Sequence, residues 1–170
     1  MSVLEVFTNP TTYNASYQLL VLVWAQAHLL SSPRPAFLRL GIRDNANPRC
    51  TIDVIEREGK VPPAKIARIK RIIAAHQNSL DGLPLITAAI LAGNQAGLSP
   101  AWLNGAAVSY FLLRLVFVRL YKNIASGPTS YARSVVWWLS NCMSNPRRPH
   151  SHPVVGIVTL FKAGNAINAK

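Results

Sequence analysis

Two stripes of polar side chains at helical spacing carry the chemistry of this 170-residue sequence. At about 100° per residue, Arg71, Ala74, Asn78, Asp81 and Leu85 fall on one helix face. Arg71, Asn78 and Asp81 therefore line one groove, while His76 projects elsewhere, among Ile69, Ile72 and Leu83. A second stripe repeats the device, since Tyr110, Arg114, Phe117 and Tyr121 share a face from which Arg119 points away. Two facing arginines beside hydrogen-bonding groups suit a small anionic, peptide-like ligand. The planar guanidinium gives bidentate donors to a carboxylate, and Asp81 can accept from a ligand ammonium. The competing reading is that Arg71 or Arg114 pairs with Asp81 and simply holds two helices together.

The elements that must position these stripes read as membrane helices. A first apolar stretch runs from about Tyr13 to Leu30 and ends at the loop signal Ser31-Ser32-Pro33-Arg34-Pro35, a length near the roughly 20 residues of one bilayer crossing. Gln18, Gln26 and His28 reduce its apolarity, so it needs partner helices on one side. A polar connector from Ser31 to Lys65 reads as a loop with one short helix. The second helix extends over 66–93, with Pro84 its one proline, and the third over 101–122. The fourth covers 131–143 and resumes after 144–155, a stretch that inserts Pro146, Arg147, Arg148 and Pro149. That stretch is either an insertion splitting one span or a short re-entrant or interfacial segment. The reading is all-α: one membrane domain over 1–170, a four-helix bundle.

Composition and charge agree. Half of the residues are apolar and 14% are charged, against roughly a quarter charged in soluble proteins. Ten of the 18 basic residues lie between Arg34 and Arg71. The amino terminus, Met1 to Pro10, and the Gly93 to Pro100 turn have none, and Arg119, Lys122 and Arg133 bracket the last connector. This alternation fits the positive-inside rule with the amino terminus lumenal. Met1 to Pro10 also lacks the basic region of a cleavable leader. A nucleic-acid binder is disfavoured, because aromatics such as Trp137-Trp138 sit in apolar runs away from the basic connector. Cys50 and Cys142 read as unpaired thiols, and no metal site is expected. Asn14-Ala15-Ser16 is a formal glycosylation sequon that abuts the first helix.

Arg71-Ile-Ile-Ala-Ala-His76-Gln-Asn78-Ser-Leu-Asp81-Gly-Leu-Pro84 resembles the second-helix signature of the MAPEG family, the membrane-associated proteins of eicosanoid and glutathione metabolism. Asn47-Pro48-Arg49 is similar to the Asn-Pro-Arg found just upstream. Arg114-x-x-Phe117-x-x-x-Tyr121 resembles the third-helix pattern, and Arg133-Ser134 the pair that opens the fourth. Leu160-Phe161-Lys162-Ala163-Gly164-Asn165 looks like that helix's close in fungal-type members.

The resemblance implies a left-handed four-helix subunit in a homotrimer of the endoplasmic reticulum membrane, surrounded by lipid, with glutathione as co-substrate between subunits. Arg71, Asn78 and Asp81 of one subunit, with Arg114 and Tyr121 of its neighbour and with Arg49, would grip the tripeptide. Arg133 would sit beside its sulfur, with Ser134 as the alternative donor, and His76 and Phe117 would be structural. A donor at the sulfur stabilises the thiolate, which then attacks a lipophilic small-molecule electrophile in a transferase or peroxidase reaction. Phe117 stands where active members often carry Tyr or His, Ala74 where many have a second Arg, and Asp81 shortens the usual Glu. The other expectation is a non-catalytic membrane protein of the same fold that binds a lipid or a protein partner.

Overall fold

The computed structural model describes residues 13–42, 47–125, 127, 130–141 and 155–168. Among them every regular element is helical. In chain order these are α1 (Ser16–Ala25), a π-helical turn (Gln26–Leu30), α2 (Arg34–Arg39), α3 (Thr51–Glu58), α4 (Pro63–Asp81), α5 (Leu83–Gln95), α6 (Pro100–Asn123), α7 (Tyr131–Asn141) and α8 (Val155–Asn168). The amino-terminal segment, the sequence from 142 to 154 and Cys142 lie outside the described residues, whereas Cys50 is an exposed free thiol.

Pro100 occupies the first turn of α6, where its missing N–H costs nothing, and the Ser99 side chain caps the helix by accepting from the Trp102 N–H at 3.4 Å. At 24 residues, α6 is the one helix among the described residues long and apolar enough to cross a membrane, with a mean hydropathy of 1.5. Leu103, Ala107 and Tyr110 on α6 meet Leu19 and Val23 of α1 and Ile86 and Ile90 of α5 in the principal core. Spacings of four on α1 and α5, and of four and three on α6, bring these side chains to the inner faces. The outward faces are apolar too: Val21, Leu22 and Trp24 on α1, Leu112 and Val116 on α6, and Val135 and Trp138 on α7 are exposed. Helices apolar on both faces suit a lipid surround.

Four elements differ from the sequence reading. The connector holds two short helices, not one. Phe37 of α2 and Ile52 and Ile55 of α3 bury themselves with Ile66 and Ile69 of α4 in a satellite core, and Gly59, at φ 65°, closes α3 in the left-handed region that favours glycine. The second helix starts at Pro63 and is broken at Gly82 into α4 and α5. Pro84 has no N–H to give the preceding turn, and its ring crowds the carbonyl four residues back. The first helix ends in a π turn, in which the Ser31 N–H reaches the Gln26 carbonyl at 3.1 Å. The two parts of the fourth helix pack on different neighbours, α7 on α6 and α8 on α5.

A polar knot ties α1 to the rest of the helices. Asn104 on α6, 3% exposed, accepts from the Ala15 N–H at 2.9 Å and donates to the Tyr13 carbonyl at 2.6 Å. Asn14 donates to Asn94 at 2.6 Å and accepts from the Ser16 hydroxyl at 2.7 Å. Asn14, half-buried, therefore has its amide committed inside the helix packing. Replacing Asn104 by Leu leaves the Ala15 N–H and the Tyr13 carbonyl without partners. The expected result is a loss of about 1–3 kcal/mol, read as a lower melting temperature in detergent; an unchanged melting temperature would show that the knot is not holding α1.

Candidate functional site

The second polar stripe is positioned by α6. Arg114 is 1% exposed, held with its Cζ 5.1 Å from the Tyr110 ring centroid and 5.4 Å from that of Phe117. One guanidinium nitrogen, Nη1, donates to the Asn78 carbonyl at 3.4 Å, while Nε and Nη2 have no acceptor. Gly82 makes this burial possible. A Cβ built there would overlap Tyr110 Oη and Arg114 Nη2 and lie 3.1 Å from Arg114 Cζ. The absence of a side chain at Gly82 thus lets the backbone between α4 and α5 come up against a buried guanidinium. Such a charge, desolvated and short of acceptors, is favourable only with aromatic faces or an added anion beside it.

One helical turn further along α6, Phe117 and Tyr121 stack edge to face at 5.4 Å. The Arg133 guanidinium of α7 lies over the Tyr121 ring, 4.6 Å from its centroid, and its Nε donates to the Ser130 carbonyl at 3.3 Å. Asn78, Phe117, Tyr121, Arg133 and Ser134 line one cleft of about 270 Å³, closed by Trp137 and Trp138. These residues come from α4, α6 and α7 of a single chain. Along the sequence the two tryptophans stand out only as part of an apolar run. The signal is their spacing, since Trp137 and Trp138 follow Arg133 and Ser134 by four residues and so share their side of α7.

The remaining candidates lie outside that lining. Asp81 is exposed and accepts from Gln77 Nε2 at 2.8 Å. It pairs with neither Arg71 nor Arg114, because the ion pairs among the described residues are Lys60–Glu58 and Lys70–Glu56. Within the single chain, then, no arginine–Asp81 bridge joins the helices among the described residues: Asp81 is exposed, and Arg114 turns inward to a backbone carbonyl. Arg71 is half-buried, with its Nε buried and unpaired. Arg49 is exposed on the turn leading into α3.

His76 faces α1. Its Nδ1 lies 3.0 Å from the Ala27 carbonyl and 3.1 Å from Ser31 Oγ, and the Ser31 hydroxyl also donates to that carbonyl. A carbonyl only accepts, so Nδ1 carries the proton. The histidine thus pins α4 to the π turn, where the widened backbone offers its carbonyl sideways. Replacing His76 by Phe removes this donor and should lower stability by about 1 kcal/mol, with no change in ligand affinity at the Arg133 cleft. A melting curve and a titration on the same variant check both halves, and a large loss of affinity would place His76 in the site.

Donors outnumber acceptors in this arrangement. One guanidinium group, a serine hydroxyl, a tyrosine and an asparagine line a cleft walled by aromatics, which can hold a small anion while an apolar partner rests against the tryptophans. No group of histidines, cysteines or carboxylates among the described residues has the geometry to hold a metal. No curated protein and no solved structure matches the chain. The family model described as the MAPEG family matches residues 12–143, a stretch that includes both polar stripes and the whole cleft. The chain therefore belongs to the MAPEG family.

Proposed function

We propose that this protein is a membrane-bound, glutathione-dependent transferase or peroxidase that uses the cleft between α4, α6 and α7. The observation that carries the proposal is the Arg133 guanidinium, laid over Tyr121 and lining the same cleft as Ser134 and Asn78. Glutathione is an anionic tripeptide, and the donor-rich lining fits its carboxylates. The buried Arg114, with two guanidinium nitrogens lacking acceptors, adds positive potential behind the cleft. Arg71, Arg49 and Asp81 do not line the cleft and enter the proposal through the family resemblance. Asp81 would accept from the ammonium, and the arginines would meet carboxylates.

The chemistry needs an ionised sulfur. A guanidinium or hydroxyl donor at the thiol favours its anion and lowers its pKa below the ordinary value of about 8.5. Arg133 is the donor in this proposal, with Ser134 as its neighbour on the same turn. The thiol proton leaves to solvent, the sulfur lone pair forms the new bond to the electrophilic atom of a lipophilic substrate, and the electrons of the broken bond depart with the leaving group. Trp137 and Trp138 offer the apolar surface against which that substrate rests. Assembly as a homotrimer of four-helix subunits, residence in the endoplasmic reticulum and a lumenal amino terminus belong to the same proposal. They are supported by family membership and by the segregation of basic residues.

Family membership also embraces non-catalytic proteins. Asp81 hydrogen-bonded to Gln77, away from the cleft, together with Phe117 where a phenol would give another donor, favours that second reading. The two separate in one experiment: isothermal titration of glutathione into detergent-solubilised protein at near-neutral pH, with thiolate absorbance followed in the ultraviolet. Binding with a thiolate signal is the expected outcome. Binding without the signal would leave a site that holds but does not activate, and absence of binding would sink the glutathione reading.

A further inference from the structure

A second cleft, on another side of α6, is used by nothing described above. It has a volume of about 280 Å³ and lies where the π turn after α1, the first half of α4 and the end of α6 meet. Arg68, Arg119 and Lys122 line it, with Gln26 and the apolar Leu115 and Val118, and no carboxylate is among the lining residues. Arg68 and Arg119 are exposed, and neither takes part in an ion pair among the described residues. Lys122 donates to the Leu30 carbonyl at 2.9 Å, which leaves its ammonium two further protons. Gln26 is 1% exposed, yet its Nε2 has no hydrogen-bond partner.

These facts point the same way. Three cations gathered without a counter-charge repel one another, and a buried amide donor without an acceptor costs about 1–3 kcal/mol. Both penalties vanish if an oxyanion enters, because the cations and the free Gln26 amide all turn donors to it. Arginine and lysine together favour a phosphate over a carboxylate, since a phosphate offers three oxygens and more charge to a fork and a point cation at once. Arg119 and Lys122 stand in the last turns of the membrane-length helix, the depth at which a phospholipid headgroup lies.

We propose that this cleft is a phosphate-binding site, entered by the headgroup of an anionic phospholipid. The proposal stands apart from glutathione, because the cleft shares no lining residue with the Arg133 cleft. The test uses full-length protein in a neutral detergent, titrated with short-chain phosphatidylglycerol, with the matching phosphatidylcholine and with inorganic phosphate, and followed by thermal shift and native mass spectrometry. Phosphatidylglycerol is expected to bind well above phosphatidylcholine. Its affinity should fall roughly 10-fold in each of Arg68→Gln, Arg119→Gln and Gln26→Leu, the effect of removing one hydrogen bond to a charged group. Arg57→Gln, which removes an exposed charge elsewhere, should leave it unchanged. Inorganic phosphate binding as tightly as the lipid, with the same decreases, would keep the site and name a soluble phosphate as its occupant. The proposal is overturned if neither probe binds wild-type protein, or if Arg119→Gln, an exposed position whose replacement leaves the core intact, binds phosphatidylglycerol as wild type does.

Discussion

Replacing Arg133 by Ala is expected to remove the thiolate signal of bound glutathione and to lower kcat/KM by roughly 100-fold or more, the scale seen when a single donor to a developing anion is deleted. That corresponds to about 2.7 kcal/mol of transition-state stabilisation. The side chain has little other work to do. It rests on Tyr121, 4.6 Å from the ring centroid, and makes one hydrogen bond of 3.3 Å, to Ser130. Its loss should therefore leave the melting temperature nearly unchanged. Arg133→Lys keeps the charge but gives up the planar fork and its stacking on the phenol ring, so it should recover only part of the rate. Ser134→Ala is the companion variant. If Arg133→Ala retains the thiolate and Ser134→Ala loses it, the activating donor is the serine and the assignment of Arg133 is wrong.

The largest structural effect is expected at Gly82. Gly82→Val places a branched side chain where Tyr110 Oη and the Arg114 guanidinium already lie, and both belong to buried residues that cannot swing into solvent. Either α5 moves off α6 or Arg114 is driven out of its position between Tyr110 and Phe117. Overpacking of this kind costs about 1–3 kcal/mol. Because α6 also presents Phe117 and Tyr121 to the cleft, affinity for glutathione should fall along with the melting temperature. Arg114→Met, which relieves the crowding, should restore part of the stability of Gly82→Val without restoring affinity. A Gly82→Val protein with wild-type melting and binding would mean that the helices are not held as close as the structure places them.

Much of this is legible along the chain. Apolar runs with few charges announce helices suited to lipid, because a helix apolar on both faces leaves one of them uncovered by its neighbours. The stripe Tyr110, Arg114, Phe117, Tyr121 is correct as a face, since spacings of three and four on a continuous helix determine direction without reference to anything else. Arg119 is correctly turned away from it. Family membership is legible in the run from Arg71 to Pro84, where side-chain types and spacing coincide.

Which faces meet is not legible in the same way. Arg71, Asn78 and Asp81 share a face by arithmetic, yet Asn78 alone lines the cleft. The reason is position along the axis: Arg71 stands seven residues, roughly 10 Å, up α4 from Asn78, and Asp81, at the last position of the helix, accepts from Gln77 instead. Periodicity gives a direction around a helix and does not say where along it another helix closes a cleft. Gln26 reads as a defect in an apolar span, and only the meeting of the π turn with α4 and α6 shows it lining a cleft with Arg68, Arg119 and Lys122. The connector's second short helix is invisible in the sequence because its two buried isoleucines make sense only against Phe37, Ile66 and Ile69. By itself the sequence determined the helical class, the polar faces and the family, all set by local period and residue type. Which arginine is buried, which is stacked on a ring and which stands in solvent was decided by tertiary packing, since desolvation of a charge depends on what other segments bring to it.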